Sequence, residues 1–358
     1  MGAENLSKTS APPLVAPRAR LYTGGMIIAG IDEAGYGPLL GPLVVGCCAF
    51  EVGGAELNGD APHLAEQFPC LWKRLGKHVS RNKLKTGRKI HVNDSKLVYS
   101  AAGGLKELER SVLALLAASC PDAQWCADLP SFLARVAPDA LSDLSDYAWY
   151  QPDPDERFPL EMDAIAVRLF ARALRQHMDH AATRCVHVRA RVVFERQLNR
   201  MIDATRNKGN ALFSVSAVHL SDLLNAFGRR DLLIVCDRQG GREHYGSLLR
   251  LMFDEWSLEV NREQDGHSDY TLRRDHHAVR VIFREKAEVG CLPVAVASMV
   301  SKYLREALMR RFNAFWKLHL PGVHPTAGYY GDGARFLVDI DCKRRELGIA
   351  DAQLIRCR

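Results

Sequence analysis

The sequence lacks the patterns that mark several common protein classes. Its 10 cysteines form no CxxC pair and meet no histidine at zinc-finger spacing, which argues against a structural zinc site and a disulfide framework. No stretch reaches about 18 uninterrupted apolar residues, so no membrane helix is predicted. The first 25 residues contain no apolar signal-peptide core, and we expect residues 1–25 to be a flexible tail.

Extremes of charge and composition are also missing. The excess of 48 Lys and Arg over 42 Asp and Glu is small, and 47% hydrophobic with 25% charged residues is ordinary globular composition. Gly240-Gly241 lacks the spacing of a dinucleotide-binding loop. Cysteines within apolar runs, such as Cys47 and Cys236, indicate reduced, buried thiols. We therefore expect a cytoplasmic protein with a large core and no membrane association.

Apolar periodicity predicts a chain of mixed strands and helices. Residues 26–31 and 43–52 are short apolar runs separated by a Gly-Pro-rich turn, which favours an antiparallel hairpin. Further strands are predicted at 186–194, 232–236 and 279–283, and helices at 105–117, 165–178 and 292–318.

Two segments have unusual charge. Eight positive residues and no acid fall between positions 73 and 89: Lys73, Arg74, Lys77, Arg81, Lys83, Lys85, Arg88 and Lys89. They form either a solvated surface or a phosphate-binding segment, and the sequence leaves both readings open. Residues 122–163 contain ten acids and five prolines, a composition that predicts a peripheral insertion or lid.

Acidic residues occur where apolar elements end or pass through the core. Asp32-Glu33 follow the first strand, Asp237 follows a later strand, and Glu306 lies in the long predicted helix. Clustered carboxylates are tolerated when cations lie between them, and oxygen ligands indicate Mg²⁺ or Mn²⁺. Taken singly, a strand-end aspartate is more commonly a turn or helix cap.

The residues around these acids carry a specific pattern. The stretch from Gly30 to Val45, GIDEAGYGPLLGPLVV, resembles the opening signature of type 2 ribonucleases H, ribonuclease HII. Residues 93–97 (NDSKL) are similar to that family's Asp-Ser-Lys element. Residues 287–306 resemble its Ala-Ala-Ser-Ile helix, which ends in Arg-Asp. The resemblance covers roughly 26–52, 93–112 and 232–340, with a looser match at 195–199.

This resemblance implies an α/β fold, the ribonuclease H-like mixed β-sheet flanked by helices. The domain would span 26–358, with a basic insertion at about 53–92 and an acidic, Pro-rich insertion at about 119–163. It also implies hydrolysis of the RNA strand of RNA–DNA hybrids at a site holding two Mg²⁺ or Mn²⁺ ions. The implied catalytic residues and metal ligands are Asp32, Glu33, Asp237 and Glu306. The implied substrate-binding residues are Gly35, Tyr36, Gly37, Ser95, Lys96, Ser298, Lys302, Tyr329 and Tyr330.

The chain departs from the family pattern at two of these positions. Glu306 is one methylene longer than the family's aspartate, which would shift a metal ligand. Tyr36 stands where the family usually has Arg or Lys, so that position supplies no positive charge. Tyr329 and Tyr330 would take the place of the family tyrosine that packs on the nucleotide.

Three functional hypotheses follow. The first is an active metal-dependent nuclease acting on hybrids. The second is a nucleic-acid-binding descendant without turnover, its affinity supplied by the basic segment, and the third is a different nuclease or resolvase on the same fold. Retention of all four acidic positions favours the enzyme, because clustered negative charge does not help a protein that only binds phosphates. Protein partners are not indicated by any motif.

Overall fold

A seven-stranded mixed sheet forms the centre of the computed structural model, which describes residues 25–54, 68–84, 87–99, 103–120, 127–151 and 156–357. The strands are β1 (Met26–Ala34), β2 (Leu43–Val52), β3 (Val79–Ser80), β4 (Ile90–His91), β5 (Thr183–Val193), β6 (Leu232–Asp237), β7 (Ser257–Gln264), β8 (His267–Arg274) and β9 (His277–Arg284). The main sheet has the order β5-β2-β1-β6-β9-β8-β7, and β3 pairs with β4 apart from it.

Helices pack against both faces of this sheet. They are α1 (Leu71–Arg74), α2 (Ser95–Val98), α3 (Lys106–Ser119), α4 (Leu129–Val136), α5 (Ala140–Asp143), α6 (Ala164–His180), α7 (Glu195–Thr205), α8 (Lys208–Phe227), α9 (Gly246–Met252), α10 (Ala287–Gly290), α11 (Leu292–His319), α12 (Tyr330–Glu346) and α13 (Asp351–Leu354), with short 3₁₀ turns at Leu144–Asp146 and Ala148–Tyr150. The three predicted helices correspond to α3, α6 and α11. The predicted mixed sheet flanked by helices is confirmed.

Strand β1 is apolar from Met26 to Ile31 because both of its faces are covered there. Ile28 belongs to the core layer that contains α3 and α11, whereas its neighbour Ile27 belongs to the layer that contains α8. Alternate side chains of a strand point to opposite faces, so a central strand with two covered faces reads as a continuous apolar run. The polar residues begin only where this covering ends.

Strand direction brings three carboxyl ends to one edge of the sheet. β1 and β2 are antiparallel, which confirms the predicted hairpin. β1 runs parallel to β6, and β6 runs parallel to β9. Ile31 lies opposite Cys236 in the first pair, and Cys236 lies opposite Phe283 in the second. Asp32, Asp237 and the residues just beyond β9 therefore leave the sheet side by side.

Helix α11 approaches this edge through backbone contacts that require glycine. A Cβ atom on Gly30 would lie 2.1 Å from the backbone nitrogen of Val294. Gly46 lies opposite Asp32 in the β1–β2 ladder, and a Cβ there would lie 2.5 Å from the carbonyl oxygen of Ala297. Only residues without a side chain fit such spacings. The start of α11 is thus held against the strand that carries Asp32.

The segment predicted as a peripheral acidic insertion contributes side chains to the core. Phe132, Trp149 and Tyr150 are buried against the layer formed with α11. The buried carboxylate of Glu109 accepts hydrogen bonds from the amides of residues 160–162, at 2.6–2.7 Å. It also accepts one from the Tyr303 hydroxyl at 2.6 Å. These bonds fasten the end of the segment to α3 and α11.

Some predictions fall on residues outside the described ranges. Apart from Gly25, the predicted tail 1–25 lies outside them, and the insertions at about 53–92 and 119–163 are described only in part. The hairpin of β7 and β8, which extends the sheet beyond β9, was not predicted. Of the helices in the described ranges, none combines the length and apolar character needed to cross a bilayer.

Candidate active site

The edge of the sheet gathers three of the predicted acidic residues. Asp32 and Glu33 occupy the end of β1, and Asp237 is the last residue of β6. The Glu33 amide donates to Asp32 Oδ1 at 2.7 Å, and the Ala287 amide donates to Asp237 Oδ1 at 3.0 Å. Backbone groups therefore orient two of the carboxylates, and the three side chains act on one another electrostatically.

Burial and mutual repulsion favour the protonated forms of these carboxyls. The pKa of Asp32 is well above its usual value because the side chain is buried and because Glu33 and Asp237 lie nearby. The pKa of Glu33 rises to about 7, from burial first and the charge of Asp237 second. Burial also raises the pKa of Asp237. Groups that repel in this way are stabilised by a bound cation.

A fourth carboxylate, Glu288, joins this cluster. It lies in α10, four residues beyond the end of β9, and its side chain shares a hydrogen bond with Asp237. Its pKa rises to about 7, because of burial first and then because of the charges of Asp237 and Asp94. Glu288 belongs to the 287–306 motif, but the sequence pattern does not single it out as a ligand. Its place after a strand parallel to β6 is the signal that could have found it.

Glu306, predicted as the fourth ligand, has different partners. Its carboxylate receives a hydrogen bond from Lys302 Nζ at 2.6 Å and lies 3.6 Å from Arg305 Nη1. It also raises the pKa of Tyr99, which reaches about 12 mainly through burial. Glu306 is not among the groups that shift the pKa values of Asp32, Glu33 and Asp237 most strongly. Lys302, predicted to bind substrate, is occupied by this ion pair and lies over the Tyr99 ring at 4.5 Å.

The four carboxylates are chemically suitable ligands for a divalent metal, but their side chains do not converge on one point. Within the described residues, no three His, Cys, Asp or Glu side chains converge closely enough to hold a metal as they stand. The four clustered groups offer only carboxylate oxygens, which Mg²⁺ and Mn²⁺ prefer. Their pKa values are raised first by burial, and those of Asp32, Glu33 and Glu288 are raised further by the charge of neighbouring carboxylates. The residues present therefore fit divalent cations as counter-ions.

Lys96 is a cation that acts electrostatically on this cluster. It acts on both Glu33 and Asp237, lowering the pKa of each. Asp94 caps the short helix α2 by accepting from the Lys96 amide at 2.9 Å. Ser298 on α11 donates to the Ser95 hydroxyl at 3.0 Å and lowers the pKa of Asp32. The predicted group of Ser95, Lys96 and Ser298 is thus assembled beside the carboxylates.

The glycine turn after β1 is held from beneath by two buried arginines. Gly35 has φ +89°, and a Cβ there would lie 2.7 Å from Arg305 Nε. Arg305 Nη2 donates to the Leu40 carbonyl at 3.1 Å. Arg356 Nη2 donates to the Tyr36 carbonyl at 3.0 Å, and its Nη1 donates to the Gly35 carbonyl. The turn therefore has a fixed backbone, whereas a Cβ on Gly37, at its outer side, would meet no atom of the described residues within 4 Å.

The two predicted tyrosines lie at the start of α12, close to this turn. Tyr329 and Tyr330 are 50% and 58% exposed, which leaves their rings accessible to a ligand. Arg305 lies 5.9 Å from the ring centre of Tyr329. The Gly328 carbonyl accepts from the amides of Leu39 and Leu40 at 2.7 and 3.1 Å. These bonds fix the tyrosines beside the glycine turn.

The basic segment at 73–89 divides into structural and exposed residues. Arg74 donates to the carbonyls of Gly53 and Ala181 at 2.7 and 2.8 Å, and Arg81 lies over the Trp72 ring at 4.0 Å. Lys89 donates to the Gly76 carbonyl. The exposed cations are Lys73, Lys77, Lys83 and Arg88, and Lys85 lies outside the described residues. Part of this charge therefore stabilises the fold.

Comparison with known proteins yields structural but no sequence matches. No protein-family model matches the chain, and no curated protein matches it in sequence. Its fold is similar to RNase HII of Archaeoglobus fulgidus in a complex with PCNA, at 14% identity and a TM-score of 0.40, covering 93% of this chain and 95% of that one. It is also similar to ribonuclease H2 of Pyrococcus horikoshii OT3, at 14% identity and a TM-score of 0.39, covering 92% of each chain.

A third similar structure is Bst-RNase HIII in complex with Mn²⁺, at 16% identity and a TM-score of 0.39, covering 94% of this chain and 67% of that one. Similarity at this level does not identify an activity.

Proposed function

We propose that this protein is a divalent-metal-dependent endonuclease that hydrolyses the RNA strand of RNA–DNA hybrids. The observation that carries the proposal is the cluster of four carboxylates at one edge of the sheet: Asp32, Glu33, Asp237 and Glu288. Buried like charges without enough counter-charge destabilise a fold. Their presence together is explained by a function that requires bound cations.

These four side chains would hold two Mg²⁺ or Mn²⁺ ions. When bound, such ions lower the pKa of water and stabilise the charge on a leaving phosphodiester oxygen. The chain's own contribution is positional. Backbone amides orient Asp32 and Asp237, and the Ser298–Ser95 hydrogen bond fixes the start of α2. Lys96 is thereby placed to attract the phosphate group toward the carboxylates.

Selection of RNA is assigned to the glycine turn. Its backbone is fixed by Arg305 and Arg356, and Gly37 presents an open surface beside Glu33 and Tyr36. A backbone that approaches closely can contact a 2′-hydroxyl, which distinguishes RNA from DNA. The motif resemblance and this open turn together favour hybrid as the substrate class.

A binding protein without turnover is less well supported. Phosphate binding is driven by positive charge, and four clustered carboxylates oppose it unless cations neutralise them. The arrangement is therefore better suited to catalysis than to binding alone.

The test is incubation of the full chain with an end-labelled RNA–DNA hybrid, a DNA duplex with one ribonucleotide, a DNA duplex and single-stranded RNA. Each substrate is tested with Mg²⁺, with Mn²⁺ and with EDTA. We expect cleavage of the RNA strand in the hybrid only when metal is present. Asp203 is an exposed residue of α7, and Asp203→Asn, which makes the same change from carboxylate to amide, serves as the matched control for Asp237→Asn. Binding of hybrid without cleavage under any metal would overturn the proposal in favour of the binding protein.

A further inference from the structure

A cleft of about 370 Å³ opens beside the glycine turn. Gly37, Lys208, Tyr330 and Arg356 contribute to its wall. Two of these residues are cationic, and among the described residues that line the cleft there is no carboxylate. Its chemistry is therefore that of an anion site.

Lys208 is the first residue of α8 and is partly buried. Its Nζ lies 5.3 Å from the ring centre of Tyr36. The pKa of Lys208 is lowered, first by burial and then by the positive charge of Arg356. Two cations that face one cleft repel each other, and an anion between them would relieve that repulsion.

Arg356 contributes to the same cleft from the other side. Its side chain is 2% exposed, although it lies close to the surface of the glycine turn. Its two terminal nitrogens donate to carbonyls of that turn, whereas its Nε has no hydrogen-bond partner among the described residues. Burial and the nearby Arg305 lower its pKa to about 10. Positive charge thus lies directly beneath the turn.

The cleft adjoins the carboxylate cluster through Tyr36. The pKa of Tyr36 is raised, first by burial and then by the charge of Glu33. Arg242 and Arg356 act in the opposite direction and lower it. Tyr36 therefore interacts with Glu33 of the acidic cluster and with both cations of the cleft.

We propose that the cleft between Lys208 and Arg356 binds a backbone phosphate of the substrate other than the one that is cleaved. Lys208 pairs with that phosphate, and Arg356 holds the turn and supplies positive potential. The positive charge that Tyr36 cannot provide is then supplied from α8 and from the segment after α13. This inference rests on the proposed function for the identity of the strand, but the anion site can be tested separately.

The first experiment measures binding of a fluorescent RNA–DNA hybrid in EDTA, where no cleavage occurs. Lys208→Gln is compared with the wild type and with Lys106→Gln, which neutralises an exposed lysine at the first position of α3. Loss of one phosphate contact should reduce the log K against log salt slope by about 0.9 and weaken binding about tenfold at about 50 mM salt. Lys106→Gln should match the wild type. In turnover assays we expect Lys208→Gln to raise KM and leave kcat within about twofold.

The second experiment uses inorganic phosphate as the probe, with the melting temperature measured at constant ionic strength. A rise in the wild type and Lys106→Gln that is absent in Lys208→Gln supports a site that also takes a free phosphate. A changed hybrid slope without any response to inorganic phosphate supports a site specific for a backbone diester. An unchanged slope together with an unchanged phosphate response overturns the site, even if the hybrid is cleaved. A Lys208-dependent phosphate response in a protein that cleaves no hybrid supports the site and refutes the proposed function.

Discussion

Two glutamates, one just before helix α11 and one in its middle, have surroundings that differ in charge. Glu288, before the helix, shares a hydrogen bond with Asp237. Its pKa is raised to about 7, first by burial and then by the charges of its acidic neighbours. Glu306, within the helix, is paired with Lys302 at 2.6 Å and lies 3.6 Å from Arg305. One carboxylate faces further negative charge, and the other faces two cations.

This difference separates a candidate ligand from a structural ion pair. A carboxylate whose charge is neutralised by Lys302 has little affinity left for Mg²⁺, and its position along a motif does not change that. A carboxylate among other carboxylates gains a large stabilisation when a cation arrives. Proximity to other acids is therefore a better guide to the proposed metal site than position along the helix.

The largest expected effect comes from removing one member of the acidic cluster. Asp237→Asn keeps the shape of the side chain but removes an anion that acts on Asp32, Glu33 and Glu288. Metal-dependent hydrolysis should fall by about 10³-fold. Without metal, the melting temperature should rise, because the repulsion within the cluster is reduced. Asp32→Asn should behave alike. Hydrolysis at the wild-type rate would show that Asp237 does not bind the metal.

A direct test of the comparison is the pair Glu288→Gln and Glu306→Gln. We expect Glu288→Gln to weaken metal binding and reduce activity by about 10²-fold, with stability maintained. Glu306→Gln should keep the metal dependence but lower the free energy of unfolding by about 2 kcal/mol, because Lys302 loses its partner. Metal titration and denaturant unfolding measure the two effects. The reverse pattern would restore Glu306 as the fourth ligand.

The melting temperature should depend on pH, and bound metal should change that dependence. The pKa values of Glu33 and Glu288 are raised from 4.5 to about 7, so between these values the folded protein retains protons that the unfolded chain has lost. In EDTA, the melting temperature should therefore fall as pH rises from about 5 to 7. With Mg²⁺ or Mn²⁺ the fall should be smaller or reversed, because metal binds the deprotonated carboxylates. Identical curves with and without metal would contradict cation binding at the cluster.

The smallest expected effect concerns Tyr36, on the cationic side of the site. Tyrosine cannot offer the charged, multi-donor contact that arginine makes to phosphate, so we expect hybrids with several consecutive ribonucleotides to be cut in preference to a single ribonucleotide in DNA. Tyr36→Arg should shift the ratio of kcat/KM toward the single ribonucleotide by about tenfold, or roughly 1.4 kcal/mol. Tyr36→Phe is the matched control, because it keeps the ring. An unchanged ratio in Tyr36→Arg would assign recognition to Tyr329 or Tyr330.

Much of the fold could be predicted because its signals are local. The apolar runs of β1, β2 and β6 and the periodicity of α3, α6 and α11 depend only on neighbouring residues. The pairing of β1 with β6 could not be derived in that way, because 205 residues separate Asp32 from Asp237. The hairpin of β7 and β8 was missed because most of its residues are polar: β7 is largely exposed, and β8 buries polar residues such as Ser268 and Asp269, so neither strand shows a clear apolar alternation.

The candidate site shows the same division. Asp32, Glu33 and Asp237 could be predicted because each follows an apolar run, and they meet at one edge of the sheet. Glu288 was not singled out, because three residues lie between it and the end of β9, so it does not stand directly at a strand end. The cations Lys208 and Arg356 also could not be predicted from the sequence, because neither lies in a motif and only the tertiary fold brings them to the glycine turn.

The backbone contacts at Gly30 and Gly46 determine how this protein should tolerate mutation. At these two positions the strand that carries Asp32 meets α11 through main-chain atoms, so the register between them does not depend on which apolar side chains fill the rest of the core. Conservative repacking elsewhere should lower stability while leaving the catalytic geometry intact. Laboratory evolution should therefore accept many core substitutions around the site, whereas any side chain at either glycine would displace the helix and the carboxylate together.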